Sequence, residues 1–250
     1  MRSTLFITSC LAACSAAAPI FENFYDFSDE MAEFLGRVSR RIHNIGDLFD
    51  GSLSCDASSI SLPSFASGLP APTGQKPLYV TLGRGTQNYT CATSTADSEP
   101  VAVGAVARLY NATCFAANFP EMIELLPAVA YRIKLPSRES DPIPPANLGL
   151  IGHHFFEGKT PVFNLDTTPS RQLGIAKVKK DADIAAPDNA VKGSNGAVGW
   201  LYLSATNGTV GGFKSVYRVD TAGGSPPKTC EGMPETFTVQ YAANYYLYGQ

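Results

Sequence analysis

The run that closes the chain constrains its fold most. Val239, Tyr241, Ala243, Tyr245 and Leu247 take every second position, with Gln240, Ala242, Asn244 and Tyr246 between them. A period of two puts the first set on one face of an extended strand and the second on the other. Similar short segments recur upstream. Residues 78–82 and 86–91 read as two strands joined by a tight turn at Gly83-Arg84-Gly85. Residues 101–110 form another. Residues 149–156 and 160–165 read as a pair around Glu157-Gly158-Lys159, and 173–179 as a short strand. Residues 198–205 and 212–219 flank Asn207-Gly208, a hairpin dipeptide that belongs at an exposed tip. The chain holds 22 glycines and 18 prolines in 250 residues, enough to separate many strands by turns. Many short strands with such turns predict an all-β domain, a sandwich or a barrel. One stretch departs from this pattern. Within residues 120–135, Met122 to Leu126 reads as a helical turn ending before Pro127. No internal repeat is visible.

The N-terminal part has a different texture. Arg2 precedes an apolar run at residues 5–14 and small residues at 15–18, the pattern of a secretory signal peptide. Pro19 is a poor residue to follow a cut, so cleavage is expected after Ala17. Ser28 is a good N-cap, and Asp29 and Glu30 suit a first helical turn. Met31, Phe34, Leu35, Val38 and Ile42 then recur at helical spacing, and Gly46 is a stop. This predicts an amphipathic helix packed on the body. Residues 50–76, rich in Ser, Pro, Ala and Gly, read as a linker or an extended surface segment pinned by Cys55. The expected division is a signal peptide at 1–17, helix and Ser/Pro-rich linker at 18–74, and a β-rich domain at 75–250.

The cysteines agree with an oxidising compartment. Cys10 and Cys14 leave with the leader, and Cys55, Cys91, Cys114 and Cys230 remain. Four cysteines allow three pairings, of which Cys91–Cys230 with Cys55–Cys114 is preferred. Zinc sites use close CxxC pairs or interleaved histidines, and neither is present. Asn88, Asn111 and Asn207 each open an N-x-S/T sequon and are candidate glycosylation sites. No hydrophobic tail follows a polar spacer at the C-terminus, so a lipid anchor is not expected. No apolar run reaches the length of a membrane span. A formal net charge of −3 argues against nucleic acid as a partner.

Several catalytic patterns can be weighed. Gly83-Arg84-Gly85 follows a strand, but the third glycine of a dinucleotide fingerprint is replaced by Asn88 and no helix follows. His153 and His154 are neighbours on a strand and point to opposite faces, so they cannot readily chelate one metal. His43 is the only other histidine, and HExxH is absent. Gly193-Ser194-Asn195-Gly196 has turn composition, not the GxSxG nucleophile elbow. Ser225-Pro226-Pro227-Lys228 matches SxxK, but its prolines forbid the helix that motif sits on. Glu157 and Asp166 bracket a hairpin and are the carboxylates to consider for sugar cleavage. Trp200, the one tryptophan, and 11 tyrosines could stack on sugar rings or fill a β core.

Motif order carries a family resemblance. The strings are Gly85-Thr86-Gln87-Asn88-Tyr89-Thr90-Cys91, Gly152-His153-His154-Phe155, Ala186-Pro187-Asp188 and Trp200-Leu201-Tyr202-Leu203. They continue with Tyr217-Arg218-Val219-Asp220-Thr221-Ala222-Gly223-Gly224, residues 227–230 and Tyr241-Ala242-Ala243-Asn244-Tyr245. Residues 75–250 resemble a family of secreted fungal proteins with bacterial envelope relatives, catalogued as domain of unknown function 3455. The resemblance implies an extracellular β-rich domain and brings no catalytic residues. Some members carry the label malate dehydrogenase. The missing dinucleotide fingerprint and the secretory leader argue that this label does not describe the chain. His154, Trp200 and Arg218 are the candidate binding positions within the pattern.

These readings favour a secreted, disulfide-bonded glycoprotein that binds without catalysing, with polysaccharide or cell-wall components as expected partners and no cofactor or metal. The alternative is a secreted hydrolase of unrecognised type, using His154 and a carboxylate. A structural wall component is a third reading.

Overall fold

The computed structural model describes residues 32–37, 55–167 and 169–250. The expected leader and cleavage point, His43 and both ends of the expected amphipathic helix lie outside the described residues. Eight strands follow one another: β1 (Lys76–Thr90), β2 (Val101–Asn111), β3 (Leu150–Glu157), β4 (Thr160–Asn164), β5 (Ile175–Ile184), β6 (Trp200–Ala205), β7 (Phe213–Gly223) and β8 (Thr236–Gly249). Each pairs antiparallel with the next, and β8 returns to β1, with Thr81 opposite Tyr245 and Gly83 opposite Ala243. Of the two expected architectures the chain therefore adopts the closed barrel, not the sandwich. Closure leaves no sheet edge unpaired.

The tight turn expected at Gly83-Arg84-Gly85 does not exist. These residues lie in the middle of one 15-residue strand. The glycines serve close packing instead of a turn. A Cβ on Gly83 would lie 2.5 Å from Tyr245 Cε2, and one on Gly85 would lie 2.6 Å from Ala107 Cα. A strand glycine commonly marks such a close approach. The hairpins at Gly158 and at Asn207-Gly208 do form. Gly158 has φ +63° and Gly208 has φ +89°, and Asn207 is exposed at the tip. The short strand expected at 173–179 extends to Ile184.

Alternation along β8 separates two buried faces. Tyr241, Ala243, Tyr245 and Leu247 point into the barrel, where they meet Leu109, Phe163, Val178 and Leu203. Ala242, Tyr246 and Tyr248 point outward, yet they are buried too, with Leu82, Tyr217 and Val219. Their cover comes from helices α2 (Thr113–Asn118), α3 (Pro120–Ile123) and α4 (Leu126–Arg132), which follow β2. Helix α4 packs on β1, β7 and β8. A single helical turn was expected here, because Pro127 reads as a breaker. Pro127, like Pro120, occupies the first turn of its helix, where a missing N–H costs nothing.

Arg84 fastens α4 to the barrel. Its Nε donates to the Ala130 carbonyl at 2.8 Å, and Nη2 to that of Tyr131 at 3.4 Å. Nη1 donates to the carbonyls of Gly85 and Tyr241, at 3.3 and 3.4 Å. A cation at the C-terminal end of a helix also meets the negative end of its dipole.

The segment expected to be a linker or a pinned surface segment is the latter from Cys55 onward. It makes two 3-10 turns, Ala57–Ser59 and Ser64–Gly68. Ile60, Ala66 and Leu69 are buried on the outer core. The Pro70 carbonyl accepts a 2.7 Å hydrogen bond from the Tyr217 hydroxyl. Of the three possible pairings the chain forms Cys55–Cys114, which ties this segment to α2, and Cys91–Cys230, which joins the end of β1 to the approach to β8. Residues 32–37 form a helical stretch, α1, whose Phe34 is buried beside Phe115.

Candidate functional site

The barrel encloses a cavity of about 440 Å³. All eight strands line it: Gln87 from β1, Ala105 from β2, His154 from β3, Phe163 from β4, Val178 from β5, Leu203 from β6, Arg218 from β7 and Tyr245 from β8. Antiparallel pairing explains why these side chains meet, since His154 stands opposite Phe163 in the ladder and both face inward. An eight-stranded barrel leaves room for packed side chains or one small ligand.

His154 stacks on Phe163, with ring centroids 4.2 Å apart and planes inclined by 13°. It is 5% exposed. One ring nitrogen, Nδ1, lies 2.9 Å from the Val162 carbonyl. A carbonyl only accepts, so Nδ1 carries the proton and Nε2 keeps a lone pair. Burial pushes the His154 pKa down to about 4, and the nearby Arg218 charge acts in the same direction. The ring is therefore neutral at physiological pH. Tyr245 and Tyr241 hydroxyls lie 2.8 Å apart and share one hydrogen bond. Burial raises both phenols above their ordinary value. The Nε and Nη2 of Arg218 donate to the Gly199 carbonyl at 3.2 and 2.8 Å. Gln87 is 7% exposed, and its Nε2 has no hydrogen-bond partner.

A second concavity, of about 390 Å³, lies on the outer face. Phe65, Glu124, Trp200 and Asp220 are among its walls, with Glu33 and Arg37 from α1. Trp200 is 2% exposed and packs edge-on against Phe65, 5.2 Å between centroids. Its Nε1 has no partner. Asp220 sits at φ +51° and accepts a 2.9 Å hydrogen bond from Asn244 Nδ2. Burial pushes its pKa up to about 8, while the Asn244 bond opposes that shift.

Two of the three candidate binding residues thus meet. His154 and Arg218 share the lumen, while Trp200 lies outside the barrel wall. The tyrosines of β8 are buried rather than offered as a stacking surface. Glu157 pairs with Lys177 at 2.6 Å, and Asp166 accepts from the Gly174 amide at 2.6 Å. Neither carboxylate lines the cavity, so His154 has neither of the partners a hydrolytic pair would use. Gln87 and Phe163 were not singled out by sequence reasoning, and Tyr245 was considered only among the tyrosines that could stack on sugar rings. The inward position of Gln87 could be read from alternation only once β1 was known to run unbroken. Of the sequon asparagines, Asn111 and Asn207 are exposed and Asn88 is half-buried. Among the described residues no three His, Cys, Asp or Glu side chains group as metal ligands. No helix among them is long and apolar enough to cross a membrane.

Comparison with known proteins adds a family and no activity. Residues 9–70 match a family described as protein of unknown function (DUF2990). No curated protein matches the chain, and no solved structure does. Residues 72–249, which span all eight strands of the barrel, match the family described as protein of unknown function (DUF3455), and the chain belongs to that family.

Proposed function

We propose that this protein is an extracellular binding protein that takes a small ligand into its barrel lumen and does not transform it. The observation that carries this reading is the cavity. It is walled by all eight strands, largely apolar, and contains the unsatisfied donor of Gln87. Such a concave, mostly apolar site with a few placed polar groups suits a small molecule. A volume of about 440 Å³ lies in the lower part of the usual range of roughly 300–1,000 Å³. Two disulfides are compatible with export, as is the leader in the sequence. Glycosylation at Asn207, exposed at its hairpin tip, fits the same route. Retention by wall polysaccharide would have to use a surface other than the buried Trp200 and β8 tyrosines. The carboxylate partner that a hydrolytic His154 was expected to use is not among the lining residues, which include no Asp or Glu.

The test uses the secreted protein, wild type and Ala105→Trp, which fills the lumen. Both are incubated with a panel of soluble small molecules and with insoluble chitin, β-glucan and cellulose. Retention and released products are measured in the same samples. Saturable small-molecule binding that is lost in Ala105→Trp, with no product, supports the proposal. Product that accumulates with time, or ligand binding indifferent to Ala105→Trp, overturns it. Secretion and sequon occupancy are read from the same preparation by intact mass before and after deglycosylation.

A further inference from the structure

Resting on the lumen-binding reading, we infer that the ligand is a small amphipathic carboxylic acid, its carboxylate held between Arg218 and Gln87. The charge inventory of the lumen points there. Lys159, Lys179, Lys180 and Arg218 line it, and no acidic residue does. Lys179 and Lys180 have carboxylate partners outside, Asp181 at 3.0 Å and Asp183 at 2.9 Å. Among the described residues Lys159 and Arg218 have none. A guanidinium left without a counter-charge beside an apolar wall is costly unless something answers it. The Gly199 carbonyl and the Tyr245 hydroxyl are polar partners for it but bring no counter-charge. Gln87 adds a buried amide N–H₂ that lacks an acceptor. Both groups line the same cavity, and a carboxylate supplies two charge-assisted acceptor oxygens to such donors.

The body of the ligand follows from the rest of the wall. Ala105, Phe163, Val178, Leu201 and Leu203 offer no polar side-chain atom. A bare inorganic anion would leave this surface facing water, and a neutral hydrocarbon would leave Arg218 and Gln87 unanswered. An acid with an alkyl or aryl tail meets both demands. The exposed Lys159, Lys179 and Lys180 mark the mouth, where Lys159 alone of the three has no carboxylate partner among the described residues and so favours anions.

The experiment is calorimetric titration of the full secreted protein with two matched series. One is straight-chain carboxylic acids of six to twelve carbons plus 4-phenylbutyric acid. The other is the primary amides of the same acids. Wild type is expected to bind the best acid at least tenfold tighter than its amide. Arg218→Met is expected to abolish that ratio by weakening the acid alone, and Arg218→Lys to retain part of it. Melting curves establish that each variant is folded, and Gln87→Leu, which leaves the cation in place, gives an independent reading if Arg218→Met is not. For Gln87→Leu a severalfold loss confined to the acids supports the assignment. Amides binding as tightly as acids, or equal losses in both series on substitution, overturn the carboxylate assignment and leave lumen binding standing. No binding by either series removes lumen binding and this inference together.

Discussion

Replacing His154 by glutamine removes the titratable group from the lumen and keeps a side-chain N–H for the Val162 carbonyl. The folded protein holds this imidazole neutral, with its pKa pushed down to about 4 by burial. In the unfolded chain a histidine titrates near 6.5. Between those values the unfolded chain binds a proton that the folded chain refuses. Stability therefore falls as pH drops through about 6.5, and the loss is complete only near the folded pKa. The full span is about 3 kcal/mol, from a gap of about 2.5 units at 1.36 kcal/mol per unit. About 2.5 kcal/mol of it is realised between pH 7.5 and 4.5. Every other titrating group is shared by both proteins, so the difference between them isolates His154. The assay is urea unfolding at several pH values with the disulfides intact. The stability of His154→Gln relative to wild type should rise by about 2.5 kcal/mol on acidification across that window. Parallel profiles would refute the buried, neutral ring. A relative gain for the wild type on acidification would require an anionic partner for His154, and the lumen contains no carboxylate.

Asp220 should show the opposite linkage. Its pKa is pushed up to about 8, so the folded chain keeps a proton that the unfolded chain loses near 4. Wild-type stability relative to Asp220→Asn should therefore fall as pH rises from about 4 to about 8 and level off above that, measured in the same urea series. Asparagine tolerates the left-handed backbone at this position, so the substitution adds no strain. Gly85→Ala should cost about 3 kcal/mol or more, because the added methyl meets the β2 backbone. A loss below about 1 kcal/mol in thermal unfolding would argue for a turn at this position instead. Arg84→Leu should lose about 3 kcal/mol by stranding the Ala130 and Tyr131 carbonyls, with exchange of α4 amides accelerated before global unfolding. Unchanged α4 protection would refute that role. Removing Cys91–Cys230 with paired serines should cost roughly 2–5 kcal/mol, since the bond closes a loop with a sequence separation of 139. An unchanged urea midpoint would show that the link constrains the unfolded chain little.

The candidate site was legible in part. His154 and Arg218 stood out as polar residues within strand motifs, and both face the lumen. Trp200 stood out for the same reason and lies on the other side of the wall. Alternation says that neighbours face opposite ways, but not which way is inward. Gln87 was hidden because a turn was read at Gly83-Arg84-Gly85, which cut β1 in two and lost its register. A glycine pair looks the same in a sequence whether the chain must turn there or must pass close to Ala107 and Tyr245.

The sequence by itself determined the all-β class, most strand positions, two of the hairpin tips and an even set of cysteines. These follow from local properties: a period of two, residues that permit turns, and the chemistry of thiols. Closure of β8 onto β1, the pairing of the disulfides, and the burial of both faces of β8 were decided only by the tertiary structure. Each depends on contacts between residues far apart in the chain, and no local pattern encodes whether the outward face of a strand meets water or a helix. The cavity belongs to the same class. Side chains from all eight strands make it, and it exists only because the sheet closes.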